Sequence, residues 1–520
     1  MSKGAVKNNG EGEIPKAFGT FSVDKGGKRV AEEIATLPEL LLPAGDLDKL
    51  KFAFEYGADA VYMGIPSFSM RSRQNNFDEK SFLEGVKYVR SLRIRRPGEK
   101  VARKAKLYAT VNIYPRNNKI EAFKKHLKFL KEKVKPDALI IADPGVIEVA
   151  KEVYPRAVLH LSVQANTLNY KSVEFWKKQG VTRVILPREL MLEEIAEIHR
   201  RVPDMELEVF VHGAICVAYS GRCLLSAYMT GRDANQGICA HSCRWKYKVY
   251  AGNSGREGQM LSRDSSELQV GKNLSRDTTE FFLEEEVRKG EFLPIEEHDE
   301  GTYIMNSRDN CAIEYLKELR DAGVCSFKIE GRNKTVYYLA VVARAYRKAI
   351  DDMVAGRKFD RKLLNELNKI SNRGYIPGFL KGFPGKDNVK FDGNRSSDSD
   401  FKFIGIIREA KCFGEDDLYK LEARNRFEVG DEVEVIMPEG VGSDLKIGTG
   451  CGNTAKVGTG IGSNAVVGAM TSAGANFSVK VKEILNLSKE KVKVAHGGDK
   501  DVYVRLERGI PEMAILRKRD

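Results

Sequence analysis

Short apolar runs recur along the first two-thirds of the chain. Each ends in polar, glycine or proline residues and is followed by an amphipathic stretch. ELLLPAGD (39–46), AVYMGIPSF (60–68), KLYATVNIYP (106–115), ALIIADPGV (138–146), AVLHLSVQAN (157–166), RVILPREL (183–190) and ELEVFVHGAIC (206–216) follow one another, and CSFKIEGR (325–332) comes after a long interruption. Runs that are apolar at consecutive rather than alternate positions predict parallel strands buried on both faces. Between them LDKLKFAFEYGA, SFLEGVKYVRSLR, KIEAFKKHLKFLKEK, SVEFWKKQG and LEEIAEIHRRV space their apolar residues by three and four, which predicts helices with one buried face. Ser81 and Ser172 precede such stretches and are candidates for helix N-termini.

Eight strand–helix units predict an α/β fold, a (β/α)8 TIM-barrel-like domain over residues 38–372. An open doubly wound sheet is the competitor. The barrel is preferred because no G-x-G-x-x-G or G-K-[ST] phosphate cradle follows a strand. Residues 217–324 form an insertion after the seventh strand. The C-terminal strand ends are the working face of such a barrel, and here they would present Arg71, Asn112, Asp143, Gln164, Asn166, Arg188, Glu189, His212, Glu330 and Arg332.

The texture changes near the C-terminus. Residues 373–400 are rich in Gly, Asp, Asn and Ser and read as a linker. From Phe401 short alternating strands follow: FKFIGIIRE, LYKLEARN, DEVEVIMPE, FSVKVKEI, DVYVRLE and EMAILRK. They predict a small β-barrel domain over 401–520, with a turn at Gly430 and Asp431. A Gly-rich insert, 441–476, interrupts it with the near-repeat KIGTGCGNTA and KVGTGIGSNA. Residues 1–37 are polar and read as a disordered lead-in.

Composition places the 520-residue chain among soluble globular proteins, with 42% hydrophobic and 31% charged residues. No apolar run reaches membrane-spanning length, and the N-terminus lacks a secretory apolar core, so a cytoplasmic protein without membrane contact is expected. The formal net charge is +13. Between Lys87 and Lys135 stand 17 Lys and Arg against Glu99, Glu121 and Glu132, a net of +14 that accounts for the whole excess. Such a stretch suggests a polyanionic partner such as nucleic acid, or else a solvated helix face.

Eight cysteines are too few for a disulfide scaffold, but four lie within 28 residues: Cys216, Cys223, Cys239 and Cys243. Their spacing is Cys-x6-Cys-x15-Cys-x3-Cys. Thiolates bind soft metals, and structural zinc favours two short knuckles. The wide spread ranks an iron–sulfur cluster ahead of zinc, with a metal-free segment third. The ligands begin at the end of the seventh strand, which places them over the predicted pocket. His212 lies four residues earlier, as a ligand, a proton-transfer group or a satisfied buried histidine. No H-E-x-x-H helix or G-x-S-x-G elbow is present.

The segment EVFVHGAICVAYSGRCLLSAYMTGRDANQGICAHSCRW resembles the signature of the collagenase-like peptidase family U32. The resemblance spans roughly residues 38–440 and includes ELLLPAGDLDKLKFAFEYGADAVYMG, HLSVQANTLNYKSVEFWKKQGVTRVILPRELMLEEI, DEGTYIMNSRDN and SFKIEGRNKTVYYLAVVARAYRKAID. It is nearest to the branch of tRNA 5-hydroxyuridine synthesis proteins. That branch implies a 4Fe-4S cluster on Cys216, Cys223, Cys239 and Cys243. It also implies oxygen-independent hydroxylation of the tRNA wobble uridine, with prephenate as the hydroxyl source. Residues 441–476 and the lead-in depart from the branch.

For such an enzyme, Arg188 and Arg332 are candidates for binding a carboxylate donor, and Glu189 or Glu330 for moving protons. Competing readings are a collagenase-like peptidase using Cys216 or His212, hydroxylation of a ribosomal RNA base, and a non-catalytic RNA-binding protein with a structural metal. The sequence leaves the oligomeric state open.

Overall fold

The computed structural model describes residues 37–215, 308–382, 399–439 and 476–520, with breaks at 66–67, 70–76, 98, 100, 414–415, 499–500 and 508. Between 216 and 307 it describes 219–220, 223, 225–232, 238–244 and the strands Tyr247–Gly252, Gln259–Met260, Glu280–Glu285 and Phe292–Ile295. Those four strands pair antiparallel as a separate sheet. In the lead-in, where composition predicts no ordered structure, Thr20–Val23 pairs antiparallel with Arg29–Glu32. The near-repeat within 441–476 lies outside the described residues.

Eight parallel strands close into a barrel. They are β1 (Glu39–Pro43), β2 (Ala60–Met63), β3 (Lys106–Thr110), β4 (Ala138–Ile141), β5 (Leu159–Leu161), β6 (Val181–Ile185), β7 (Glu206–Ala214) and β8 (Val324–Ile329). Each pairs with its sequence neighbour, β8 returns to β1, and β7 bonds both β6 and β8. Both faces of β1, β2 and β4 are buried throughout, as the consecutive apolar runs require.

The outer ring is α1 (Leu47–Glu55), α2 (Glu79–Ser91), α3 (Ile120–Phe129), α4 (Pro144–Val153), α5 (Tyr170–Lys178), α6 (Leu192–Arg201), α7 (Leu316–Asp321) and α8 (Val336–Val354). Ser81 and Ser172 do serve near helix N-termini, beside the caps themselves. Asp78 caps α2 and receives the Ser81 N–H at 2.7 Å, and Asn169 caps α5 and receives that of Ser172 at 3.0 Å. The serines stand at the third helical position. A cap must sit in extended backbone outside the helix, a condition that Asp78 and Asn169 meet.

A strand at Asp309–Cys311 adds antiparallel to the end of β7, and Tyr375–Ile376 adds parallel to it. The stretch NCAIEYLKELRDAG forms a 3-10 turn leading into α7. Hence the chain from 308 onward belongs to the barrel.

The six C-terminal strands appear as expected: β9 (Phe401–Phe413), β10 (Asp416–Ala423), β11 (Glu432–Ile436), β12 (Phe477–Leu485), β13 (Val502–Leu506) and β14 (Ile515–Arg519). They close as a second, antiparallel barrel in the order β11-β14-β9-β10-β13-β12, with β12 returning to β11. Ile404, Tyr419, Val433, Val479, Val504 and Leu516 are among the residues that fill it.

This barrel packs against α1 and α8. Tyr337 stacks on Phe403 at 5.2 Å, Arg408 grips Asp48 with two 2.8 Å bonds, and the Tyr56 hydroxyl lies 3.0 Å from the Ile436 carbonyl and 2.8 Å from that of Met513. Among the described residues no helix is long and apolar enough to cross a membrane.

Candidate active site and cysteine segment

The large barrel has an apolar shell between strands and helices, but its lumen is charged. Glu39 from β1, Arg183 from β6, Glu208 from β7 and Lys328 from β8 all point inward and are 5% exposed or less. Arg183 Nη1 lies 2.8 Å from Glu39 Oε1 and 3.1 Å from Glu208 Oε2, and Lys328 Nζ lies 2.7 Å from Glu208 Oε1. The hydroxyls of Tyr108 and Ser326 donate to Glu39 at 2.7 and 3.2 Å. Two buried carboxylates thus face two buried cations, and each keeps a partner that burial makes obligatory.

Burial pushes the Glu39 carboxyl up, but Arg183 and Lys106 outweigh it and hold the group below its ordinary value. Burial lowers Lys328 despite the opposing pull of Glu208. The sequence reading missed these four residues. Their signal was a charge embedded in each apolar run: ELLL, RVIL, ELEV and SFKI.

Above this network two aromatic rings carry three cations. Arg188 stacks on Phe210 with its guanidinium carbon 3.9 Å from the ring centre, and makes no ion pair or hydrogen bond among the described residues. Lys328 Nζ lies 5.3 Å from the Phe210 centre and 4.5 Å from that of Tyr62. Arg332 lies 5.1 Å from the Tyr62 centre and donates to Ser69 Oγ at 2.5 Å. The structure therefore brings Arg188 and Arg332 to the same end of the barrel as the Lys328 ammonium. On the opposite wall Asn112 donates to Ser162 at 3.2 Å, and Ser162 donates to Gln164 at 3.3 Å.

The other rim candidates separate into different roles. Asp143 caps α4, accepting the Val146 N–H at 2.9 Å. Arg71 lies outside the described residues. Glu189 accepts the Ser220 N–H at 2.8 Å and its hydroxyl at 3.1 Å, and Asn166 donates to the Ser220 carbonyl at 3.5 Å. These two residues clamp the loop that joins the first two cysteines. Glu330 extends β8, giving its N–H to the His212 carbonyl at 2.9 Å. That pairing needs Gly213, whose φ is +106° and where a Cβ would come within 2.4 Å of the Glu330 carbonyl oxygen.

His212 is buried among Tyr338, Tyr346 and Tyr375, at ring distances of 5.9, 5.4 and 5.2 Å. Its Nδ1 meets the Tyr346 hydroxyl at 3.3 Å. Burial pushes the imidazole down to about 3, so it is neutral at physiological pH.

Past Ala214 the chain enters the cysteine segment. Cys216 lies outside the described residues, while Cys223, Cys239 and Cys243 are partly buried. Ser226 knots the segment, donating to the Arg232 carbonyl at 2.6 Å and receiving the Ala240 N–H at 2.8 Å. Arg232 donates to the carbonyls of Ile238 and Cys239, each at 3.2 Å. His241, at φ +59°, turns its N–H onto Cys239 Sγ at 3.4 Å. Among the described residues no three His, Cys, Asp or Glu side chains are gathered around one point. In donor chemistry the segment suits a thiolate-bound soft metal: three partly buried thiols, an N–H aimed at one sulfur and a guanidinium beside the same residue.

Residues 45–390 match the model of Peptidase family U32, and residues 399–449 match that of the Peptidase family U32 C-terminal domain. The chain belongs to peptidase family U32. It is 44% identical over 409 residues to the "tRNA hydroxylation protein P" of Escherichia coli, covering 78% of this chain and 87% of that one. It is 36% identical to "tRNA hydroxylation protein P1" of Bacillus subtilis, covering 79% and 86%. It is also 32% identical to the "23S rRNA 5-hydroxycytidine C2501 synthase" of E. coli, covering 71% of this chain and 48% of that protein.

Proposed function

We propose that this U32 chain is a cytoplasmic enzyme that hydroxylates tRNA at C5 of the wobble uridine, without molecular oxygen and with prephenate as hydroxyl source. The observation that carries this reading is the 44% identity, over most of both chains, to a protein named for tRNA hydroxylation. A 4Fe-4S cluster would be held by Cys216, Cys223, Cys239 and Cys243. When bound, such a cluster supplies redox or Lewis-acid chemistry at the barrel mouth.

The chain's own residues support an anionic donor there. Prephenate carries two carboxylates. Arg188 offers a guanidinium with no ionic partner among the described residues, pre-oriented by stacking on Phe210. Arg332, fixed by Ser69 and Tyr62, offers a second, and Lys328 lies between the two rings. A guanidinium binds a carboxylate through two parallel hydrogen bonds, which sets orientation as well as affinity. The rings of Tyr62 and Phe210 wall the pocket and exclude water, and the uridine would leave its stack to enter. Glu189 holds the cysteine loop through Ser220 in this reading, and Glu330 is the carboxylate left for proton transfer at the end of β8. The peptidase alternative gains nothing from His212, a neutral, deeply buried imidazole.

The test is nucleoside mass spectrometry of tRNA from cells lacking the gene and cells complemented with wild-type, Arg188→Ala or Cys239→Ser protein. We expect 5-hydroxyuridine derivatives to disappear in the deletion, return with wild-type, and stay below one-tenth of wild-type with either variant. Iron and sulfide should co-purify anaerobically with wild-type and be lost with Cys239→Ser. Unchanged tRNA in the deletion strain sinks the proposal, and zinc without iron removes its cluster.

A further inference from the structure

Most of the charge of the basic stretch 87–135 lies away from the barrel mouth, which the stretch reaches only around Asn112. Its arginines partly serve the scaffold. Arg96 and Arg103 bind Asp59 at 2.9 and 2.7 Å, where Arg347 joins them at 3.0 Å, and Arg90 binds Asp137 at 2.8 Å. Asp59 and Asp137 immediately precede β2 and β4, so these contacts mark the N-terminal end of the barrel.

Five of the remaining lysines stand at that same end or near it. Lys128 lies in the last turn of α3, Lys87 about one turn from the end of α2, Lys104 in the hairpin that leads into β3, and Lys133 and Lys135 between α3 and β4. All five are exposed, and their ammonium groups make no ion pair among the described residues. Cations at helix C-termini complement the helix dipole, which accounts for Lys128. It does not account for Lys104, in a strand, or for Lys135, held at φ +50° outside a helix.

We infer that this face is a docking surface for the phosphodiester backbone of RNA, set apart from the mouth where the base is modified. The inference rests on the tRNA reading above. The observation behind it is charge complementarity: ammonium groups in excess, with few acids beside them, on one continuous patch of α2, the 93–104 hairpin and the α3–β4 connection. The run of helix from Ile120 to Val134 separates this patch from the mouth by about 22 Å. A stem-loop RNA spans that distance along the flank of α2 and α3 with its loop at the mouth. Such a surface fixes where the RNA lies without reading its sequence, and it leaves base selection to the pocket.

The experiment measures binding of an unmodified tRNA transcript to full-length wild-type protein and to the Lys104→Glu/Lys128→Glu/Lys133→Glu variant across a salt series. The Gln triple variant is the milder control, and melting curves of all three check folding. The Glu variant is expected to bind at least about tenfold more weakly at low salt. Its slope of log Kd against log salt should fall by about two to three, close to one per lost phosphate contact. The Gln variant should lie between. Equal affinity and equal slope in wild-type and both variants overturn the surface while leaving the tRNA reading intact. A wild-type protein that binds no tRNA overturns both. A Glu variant that binds tRNA normally but no longer adheres to anionic phospholipid vesicles assigns the face to a membrane and overturns it as an RNA surface.

Discussion

Glu208 is the residue on which the lumen turns. It is fully buried and joins Arg183 from β6 to Lys328 from β8, so its charge is shared by the two buried cations of the lumen. Removing one partner of a buried pair leaves a charge with neither water nor counter-ion. Glu208→Gln is therefore expected to lower stability by about 3–5 kcal/mol, read by chemical denaturation. Glu208→Gln/Lys328→Met should recover most of it. If the double variant is as unstable as the single one, the loss comes from packing and not from an uncompensated ammonium. These residues were visible in the sequence only as charges in the wrong places. What made them a network was closure of the barrel, which brings β1 beside β8 although Glu39 and its partner Ser326 are 287 residues apart.

At the scale of elements, α3 illustrates how one helix meets two demands. Its outer face carries lysines, and its inner face buries His126 against Phe68 at 4.6 Å. Burial alone pushes this imidazole from 6.5 down to about 4. A group whose folded value is depressed adds stability that is complete above its unfolded value and is lost as pH falls towards the folded one. The melting temperature of wild-type should therefore drop between pH 6.5 and about 4 more steeply than that of His126→Leu. Parallel profiles would refute the assignment. The periodicity of KIEAFKKHLKFLKEK located this helix without placing His126 on its buried face. A histidine is apolar in packing when neutral, and only its neighbours decide which form it takes.

For the whole molecule, the packing of the two barrels matters most. Tyr56 ends α1 and gives its hydroxyl to two carbonyls of the C-terminal barrel. Phe401 and Phe403 begin β9 against this same side, and Arg408 reaches Asp48 at the start of α1. Tyr56→Phe removes one donor and leaves two buried acceptors, a loss of about 1–3 kcal/mol. It should appear in calorimetry as two unfolding transitions drawing apart, with the small barrel melting first. A single transition shifted as a unit would show that the hydroxyl stabilises the large barrel alone.

The strands, their order and the two-barrel division were legible in the sequence, because consecutive and alternating apolar patterns are local records of two-sided and one-sided burial. The four cysteines were legible as a group because thiols crowded into 28 residues need no fold to be noticed. Only the tertiary structure decided that Glu189 clamps Ser220, that Arg188 stands stacked without an ionic partner among the described residues, and that most of the basic stretch lies at the opposite end of the barrel from the cysteines. Each of these depends on residues far apart in sequence meeting across the barrel, and loop closure over such distances leaves no trace in local pattern.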